Sequence, residues 1–171
     1  MGGLYVCGVT YGDLDGQTNT GGGDCFLVQY LPDGSKGWTR QFGSTGDDGS
    51  LVMRVDIADN IYVCGDAGGA FDGQTSRGGS DAFLTVFTPD GTQSWTRFLG
   101  SSAEEYGTAM DIGSDGAIYQ AGITGGAFDG QTNVGGLDAF LTSATASSRS
   151  AESSRRCRGS WARGSRCTGC I

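Results

Sequence analysis

Between Asp81 and Thr124 apolar and polar positions alternate in short runs separated by turn residues. D-A-F-L-T-V-F (Asp81 to Phe87) has a period of two and is rich in strand formers, so it predicts a strand. T-P-D-G (Thr88 to Gly91) predicts a turn, because proline presets φ and glycine accepts the left-handed region. Q-S-W-T-R-F-L (Gln93 to Leu99) predicts a second strand, and Gly107 to Ile112 a third, short and weak. The S-D-G turn at Ser114 to Gly116 leads into A-I-Y-Q-A-G-I-T, a fourth strand ending near Thr124. A long loop, G-G-A-F-D-G-Q-T-N-V-G-G, follows. No segment carries a helical period.

This pattern recurs. G-G-G-D-C-F-L, G-G-S-D-A-F-L and G-G-L-D-A-F-L place Asp24, Asp81 and Asp138 at a constant spacing of 57 residues. The same offset aligns L-Y-V-C-G, I-Y-V-C-G and I-Y-Q-A-G from Leu4, Ile61 and Ile118, and D-G-Q-T at Asp15, Asp72 and Asp129. It pairs P-D-G at Pro32 with Pro89 and W-T-R at Trp38 with Trp95. A fixed period of this length marks a repeat architecture. Four short antiparallel strands per period predict an all-β chain of β-propeller-type blades. On that reading residues 1–20 are the last strand and loop of a partial blade. Residues 21–77 and 78–134 are two complete blades, 135–142 start the next, and 143–171 are a tail outside the repeat. An incomplete propeller leaves sheet faces uncovered, which predicts further blades or self-association.

The series G-G-x-D-A-F-L, P-D-G, W-T-R-x-[FL]-G, I-Y-V-C-G and F-D-G-Q-T-N-x-G-G resembles the bacterial SBBP (seven-bladed β-propeller) repeat family over about residues 2–142. The resemblance implies a propeller of large secreted or cell-surface bacterial proteins. It implies a binding or scaffolding module with a protein or glycan partner rather than a catalyst.

Composition narrows the chemistry. The chain has no histidine, which removes histidine catalysis, proton switching and histidine metal ligation. Its 33 glycines against 2 prolines, recurring at fixed positions, indicate tight turns. The net charge of −8 is unevenly spread: the body through Thr142 is strongly acidic, whereas the tail holds six arginines and one acid. An acidic body predicts no nucleic-acid partner. No apolar run of about 18 residues is present, so no membrane insertion by a helix is expected. No signal-peptide pattern opens the chain, and Val6 stands where a myristoylation motif needs Ser or Thr.

Each candidate site has a competing structural explanation. Asp15, Asp72 and Asp129 could offer carboxylates to calcium on one rim. Asp-Gly is also ordinary turn chemistry, and the D-x-D-x-D-G ladder of calcium loops is absent. No cofactor is expected, with calcium the one candidate. Asp24, Asp81 and Asp138 are expected to satisfy backbone donors in the Gly-rich turns before them. The adjacent acids Asp47/Asp48 and Glu104/Glu105 are expected in a solvated loop rather than as an acid/base pair. Trp38 with Arg40, and Trp95 with Arg97, share strand faces and are expected to pack between blades, with Arg stacking or pairing with an acid. Carbohydrate stacking is the minor alternative. Cys7, Cys25 and Cys64 exchange with alanine at equivalent positions and read as small buried residues, and Cys167/Cys170 form a lone C-x-x-C. Nearly every polar motif repeats, and an active site should break that symmetry, so no enzyme is expected. Beyond Thr142 the register is lost, as in a disordered basic tail or a shifted reading frame.

Overall fold

The computed structural model describes residues 3–127, 130–145 and 153–156. Among these it is all β, with no helix. The strands are β1 (Leu4–Thr10), β2 (Asp24–Tyr30), β3 (Lys36–Phe42), β4 (Asp48–Val55), β5 (Ile61–Ala67), β6 (Asp81–Phe87), β7 (Gln93–Leu99), β8 (Glu105–Ile112), β9 (Ile118–Thr124), β10 (Asp138–Ala144) and β11 (Ser153–Arg156). They form three antiparallel sheets: β1-β2-β3, then β4-β5-β6-β7, then β8-β9-β10-β11.

Two predicted strands, Asp81 to Phe87 and Gln93 to Leu99, match β6 and β7 to the residue. The third of each repeat differs. The expected Gly107 to Ile112 is the eight-residue β8, and its register shifts between Gly107 and Ala109. β4 carries the matching irregularity between Ser50 and Val52. A bulge inserts one residue and so breaks the period of two. That is why an ordinary strand reads as a weak one.

The sheets are also cut at a different phase from the repeat. β5 pairs with β6 at every position from Ile61↔Phe87 to Ala67↔Asp81, so the long loop 68–80 lies within one sheet. The chain moves between sheets through the short segments 43–47 and 100–104. The segment 78–134, expected as one blade, therefore contributes β6 and β7 to the second sheet and β8 and β9 to the third. In the tail, β10 continues through Ala144, and Ser153–Arg156 pair with it as β11.

Two cores lie between the sheets. Cys25, Leu27 and Phe42 of the first sheet meet Ile61, Val63, Phe83 and Phe87 of the second. On the other face of the second sheet, Tyr62, Cys64, Leu84 and Val86 meet Met110, Ile118 and Ala144 of the third. β5 and β6 are thus buried on both faces, which corrects the period of two expected for Asp81 to Phe87: apolar residues lie on both sides of β6. The glycine that ends each L-Y-V-C-G, I-Y-V-C-G or I-Y-Q-A-G run has a packing reason: Gly8 pairs with Phe26, Gly65 with Phe83 and Gly122 with Phe140. A Cβ on Gly8 would lie 2.9 Å from the Phe26 ring, and one on Gly122 would lie 2.6 Å from that of Phe140. The aromatic ring covers the glycine across the strand pair.

Candidate functional site

The D-G-Q-T loops are tight turns. Gln17 N–H donates to the Leu14 carbonyl at 2.9 Å, and Gln74 N–H to that of Phe71 at 2.9 Å. The two central residues have positive φ in both: 54° and 77° at Asp15-Gly16, 50° and 70° at Asp72-Gly73. A type I′ turn requires that, and Asp-Gly is its favoured pair. The carboxylates take no common role. Asp15 accepts from Thr39 Oγ1 at 2.6 Å and pairs with Lys36 Nζ at 2.6 Å. Those two partners hold it below the usual carboxylate range, the Lys36 bond first. Asp72 is exposed. Asp129 lies outside the described residues. Among the described residues no three Cys, Asp or Glu side chains gather as metal ligands. The phenylalanine before the turn anchors the loop: Phe71 packs on Phe83, Phe98 and Phe42 at centroid distances of 5.5, 5.1 and 6.3 Å.

A second set of acids braces the junctions between strands. Asp24, Asp81 and Asp138 each accept the backbone N–H four residues earlier, from Thr20 (2.8 Å), Arg77 (2.6 Å) and Val134 (2.9 Å). This is the turn-satisfying role expected of them. Asp48 and Glu105 were expected in solvated loops, and the structure corrects this. Both are buried at the start of strands while Asp47 and Glu104 are exposed, accepting from Gly23 N–H and Tyr106 Oη. Adjacent residues at a strand start face opposite ways. Asp48 Oδ1 accepts from Ser44 Oγ (2.8 Å) and Gly68 N–H (3.1 Å); Glu105 Oε1 accepts from Ser101 Oγ (2.7 Å) and Thr124 Oγ1 (2.7 Å). The signal was present in the sequence, because F-G-S and L-G-S recur four residues before each buried acid. Burial pushes the Asp48 carboxyl up, against the opposing pull of the Ser44 and Gly68 donors, and the nearby Asp24 pushes it further. Gly43 separates the two carboxylates: a Cβ there would lie 2.5 Å from Asp48 Oδ2 and 3.0 Å from Asp24 Oδ1. Asp24 Oδ1 and Asp81 Oδ1 are buried without a hydrogen-bond partner.

Trp38 and Arg40 clasp the next sheet. Both reach from β3 to the P-D-G turn that joins β6 and β7. Trp38 Nε1 donates to the Pro89 carbonyl at 3.2 Å, and Arg40 Nε to that of Gly91 at 2.7 Å. Arg40 also lies 5.2 Å from the Trp38 ring centroid, a cation–π contact. The expected inter-sheet packing and arginine stacking are present, and the arginine's hydrogen-bond partners are carbonyls. Gly91 (φ 78°) lets the turn approach, since a Cβ there would lie 2.7 Å from the indole. Trp95 and Arg97 are buried, with Arg97 Nη2 reaching Thr142 Oγ1 of the third sheet at 3.4 Å. Both tryptophans are thus used in packing between sheets, Trp95 buried and Trp38 half-buried. Cys25 and Cys64 are fully buried and Cys7 half-buried. Burial, chiefly, pushes the Cys64 thiol up to about 12.

One concavity stands apart from this bracing. A cleft of about 720 Å³ opens between the β4–β5 and β8–β9 turns, lined by Val55, Asp56, Ile57, Tyr62, Ile112 and the turn Gly113 to Gly116. Ile57 at its rim is fully exposed. Asp56 accepts from Ala58 N–H, Asn60 and Tyr62 Oη. Burial works against its charge, but those donors hold its carboxyl below the usual range. Burial and Asp56 together push the Tyr62 phenol up. The cleft therefore presents an apolar wall beside the carboxylates of Asp56 and Asp115.

These features define the class: an all-β repeat protein of stacked antiparallel sheets whose recurring polar residues brace the stack. No family model matches the chain. Among curated proteins it is 28% identical over 141 residues to Regulatory protein FlaEY of Caulobacter vibrioides, an alignment covering 76% of this chain. The chain spans 15% of that protein's length.

Proposed function

We propose that the chain is a β-propeller-type repeat module that binds or scaffolds other proteins and performs no catalysis, as its resemblance to the SBBP repeats implies. One observation carries this reading: the polar side chains recur in the same bracing role from sheet to sheet. Asp24, Asp81 and Asp138 cap turns, Asp48 and Glu105 hold strand starts, and Arg40 clasps a neighbour. The packing is in keeping with blades. The extensive contacts between sheets converge on β4 and β8, the first strands of the two four-stranded sheets, as blades converge on a central axis.

The contact site for a partner is the cleft at Ile57. An exposed isoleucine beside Val55 and a fixed carboxylate suits an apolar side chain carried next to a basic one. A regulatory role by contact accords with the printed name of the FlaEY relative. The test compares the immobilised chain with its Ile57→Glu variant in capture from extracts of the source cells. The expected result is a discrete protein retained by the first and lost by the second. Identical captures by both would refute the assignment.

A further inference from the structure

The middle sheet shows what its two faces bind, and each outer sheet exposes one of those faces. At equivalent repeat positions Ile61 and Val63 are 0% exposed, whereas Leu4 and Val6 are 65% and 40% exposed. Phe83 and Phe87 are fully buried, whereas Phe26 and Tyr30 are half-buried. Ile61, Val63, Phe83 and Phe87 are the residues of the second sheet that seat on the first. Their counterparts on the first sheet form the same seating surface, with no occupant among the described residues. The opposite end is its complement. Tyr62 is 1% exposed against the third sheet, whereas Tyr119, its counterpart, is 38% exposed. Ala121, Ala139 and Leu141 are half-buried beside it, while Ile118, Phe140 and Ala144 on the other face are buried.

We propose that a second copy of this chain docks head to tail, laying the Tyr119–Leu141 face of its third sheet on the Leu4–Val6–Phe26 face of the first sheet. The fold already contains this contact twice, between its own first and second sheets and between its second and third. The occupant is thus argued from packing the chain itself displays. The contact is heterologous, joining two different patches, so it propagates into rings or open chains. It is weaker than the internal contacts, which run through β4 and β8, because the first sheet has no strand in that position among the described residues. The inference rests on the stacked repeat and is independent of what the cleft at Ile57 binds.

Sedimentation velocity over a wide concentration range tests it. The parent chain should form dimers and larger species as concentration rises. Leu4→Glu places a charge on one face and Tyr119→Glu on the other, and each variant alone should be monomeric. Their mixture should restore a 1:1 dimer and stop there, because one good face of each kind survives. Leu4→Thr and Tyr119→Thr, which keep strand-forming residues, serve the same purpose if a glutamate variant does not fold. The association should weaken at least about tenfold in each single variant, equivalent to about 1.4 kcal/mol. A parent chain that is monomeric throughout would overturn the proposal. So would association abolished by the Leu4 variants but untouched by those at Tyr119, the signature of β1 edges pairing with each other.

Discussion

Phe83 and Phe26 occupy the same repeat position in different surroundings, so their truncation isolates what sheet stacking contributes. Phe83 is fully buried, with its ring centroid 6.3 Å from that of Phe42 and 5.5 Å from that of Phe71. Phe83→Ala removes the transfer free energy of the ring and leaves a cavity between two sheets that other contacts hold in place. The combined cost is about 3–5 kcal/mol. Phe26 covers Gly8 but faces solvent on its other side, so Phe26→Ala exposes less new surface and leaves no closed cavity. Its cost is about 1 kcal/mol. Urea unfolding followed by tryptophan emission reads both, at a concentration low enough to keep copies apart. With a urea slope of about 1–3 kcal/mol/M, Phe83→Ala should lower the midpoint by about 1–5 M and Phe26→Ala by well under half of that. Equal losses at the two positions would refute the claim that stacking of the second sheet on the first distinguishes them.

Further outcomes follow from the same geometry. Burial raises the Asp66 carboxyl, the Ser80 hydroxyl draws it back, and Asp48 raises it again. The folded chain therefore binds a proton there more tightly than the unfolded chain does. Stability from this group is complete below the unfolded value near ~4 and falls as pH rises through the folded one. Asp66→Asn should gain stability relative to the parent between pH 4 and 7, read by thermal melts across that range; a pH-independent difference would contradict the shift. Gly116 has φ 77° and no neighbour near its missing Cβ, so Gly116→Ala should cost about 1 kcal/mol from backbone strain alone, measured by urea unfolding. Arg40→Lys keeps the charge but loses the planar fork that reaches Gly91 and stacks on Trp38, so it should cost nearly as much as Arg40→Ala in the same assay. Mass mapping after alkylation of the native chain at pH 8 should find Cys64 unmodified, since its thiol is buried and raised to about 12.

Part of the site chemistry was legible because it is local. Asp24, Asp81 and Asp138 reach back four residues to a turn that the same glycine-rich stretch encodes. The Asp-Gly turns followed from the φ values that pair tolerates. Asp48 and Glu105 were misplaced because their second partners come from the neighbouring strand, at Gly68 and Thr124, some 20 residues away. The stacking of Arg40 on Trp38 was legible because the two share a strand face, whereas its carbonyl acceptors were not, since they lie some 50 residues on, in the next repeat.

The sequence by itself determined the repeat, the strand-forming segments and the turns between them, because each depends on propensities and backbone angles within a few residues. The tertiary structure alone decided how strands group into sheets and which faces are covered. Nothing within the 57-residue period says whether a long loop closes a hairpin or bridges two sheets. That is settled by the seven-position pairing of β5 with β6. Nor can one repeat distinguish Leu4 from Ile61, which are alike in sequence and opposite in burial. Burial belongs to the stack, and a residue's place in the stack depends on which sheets lie on either side of it.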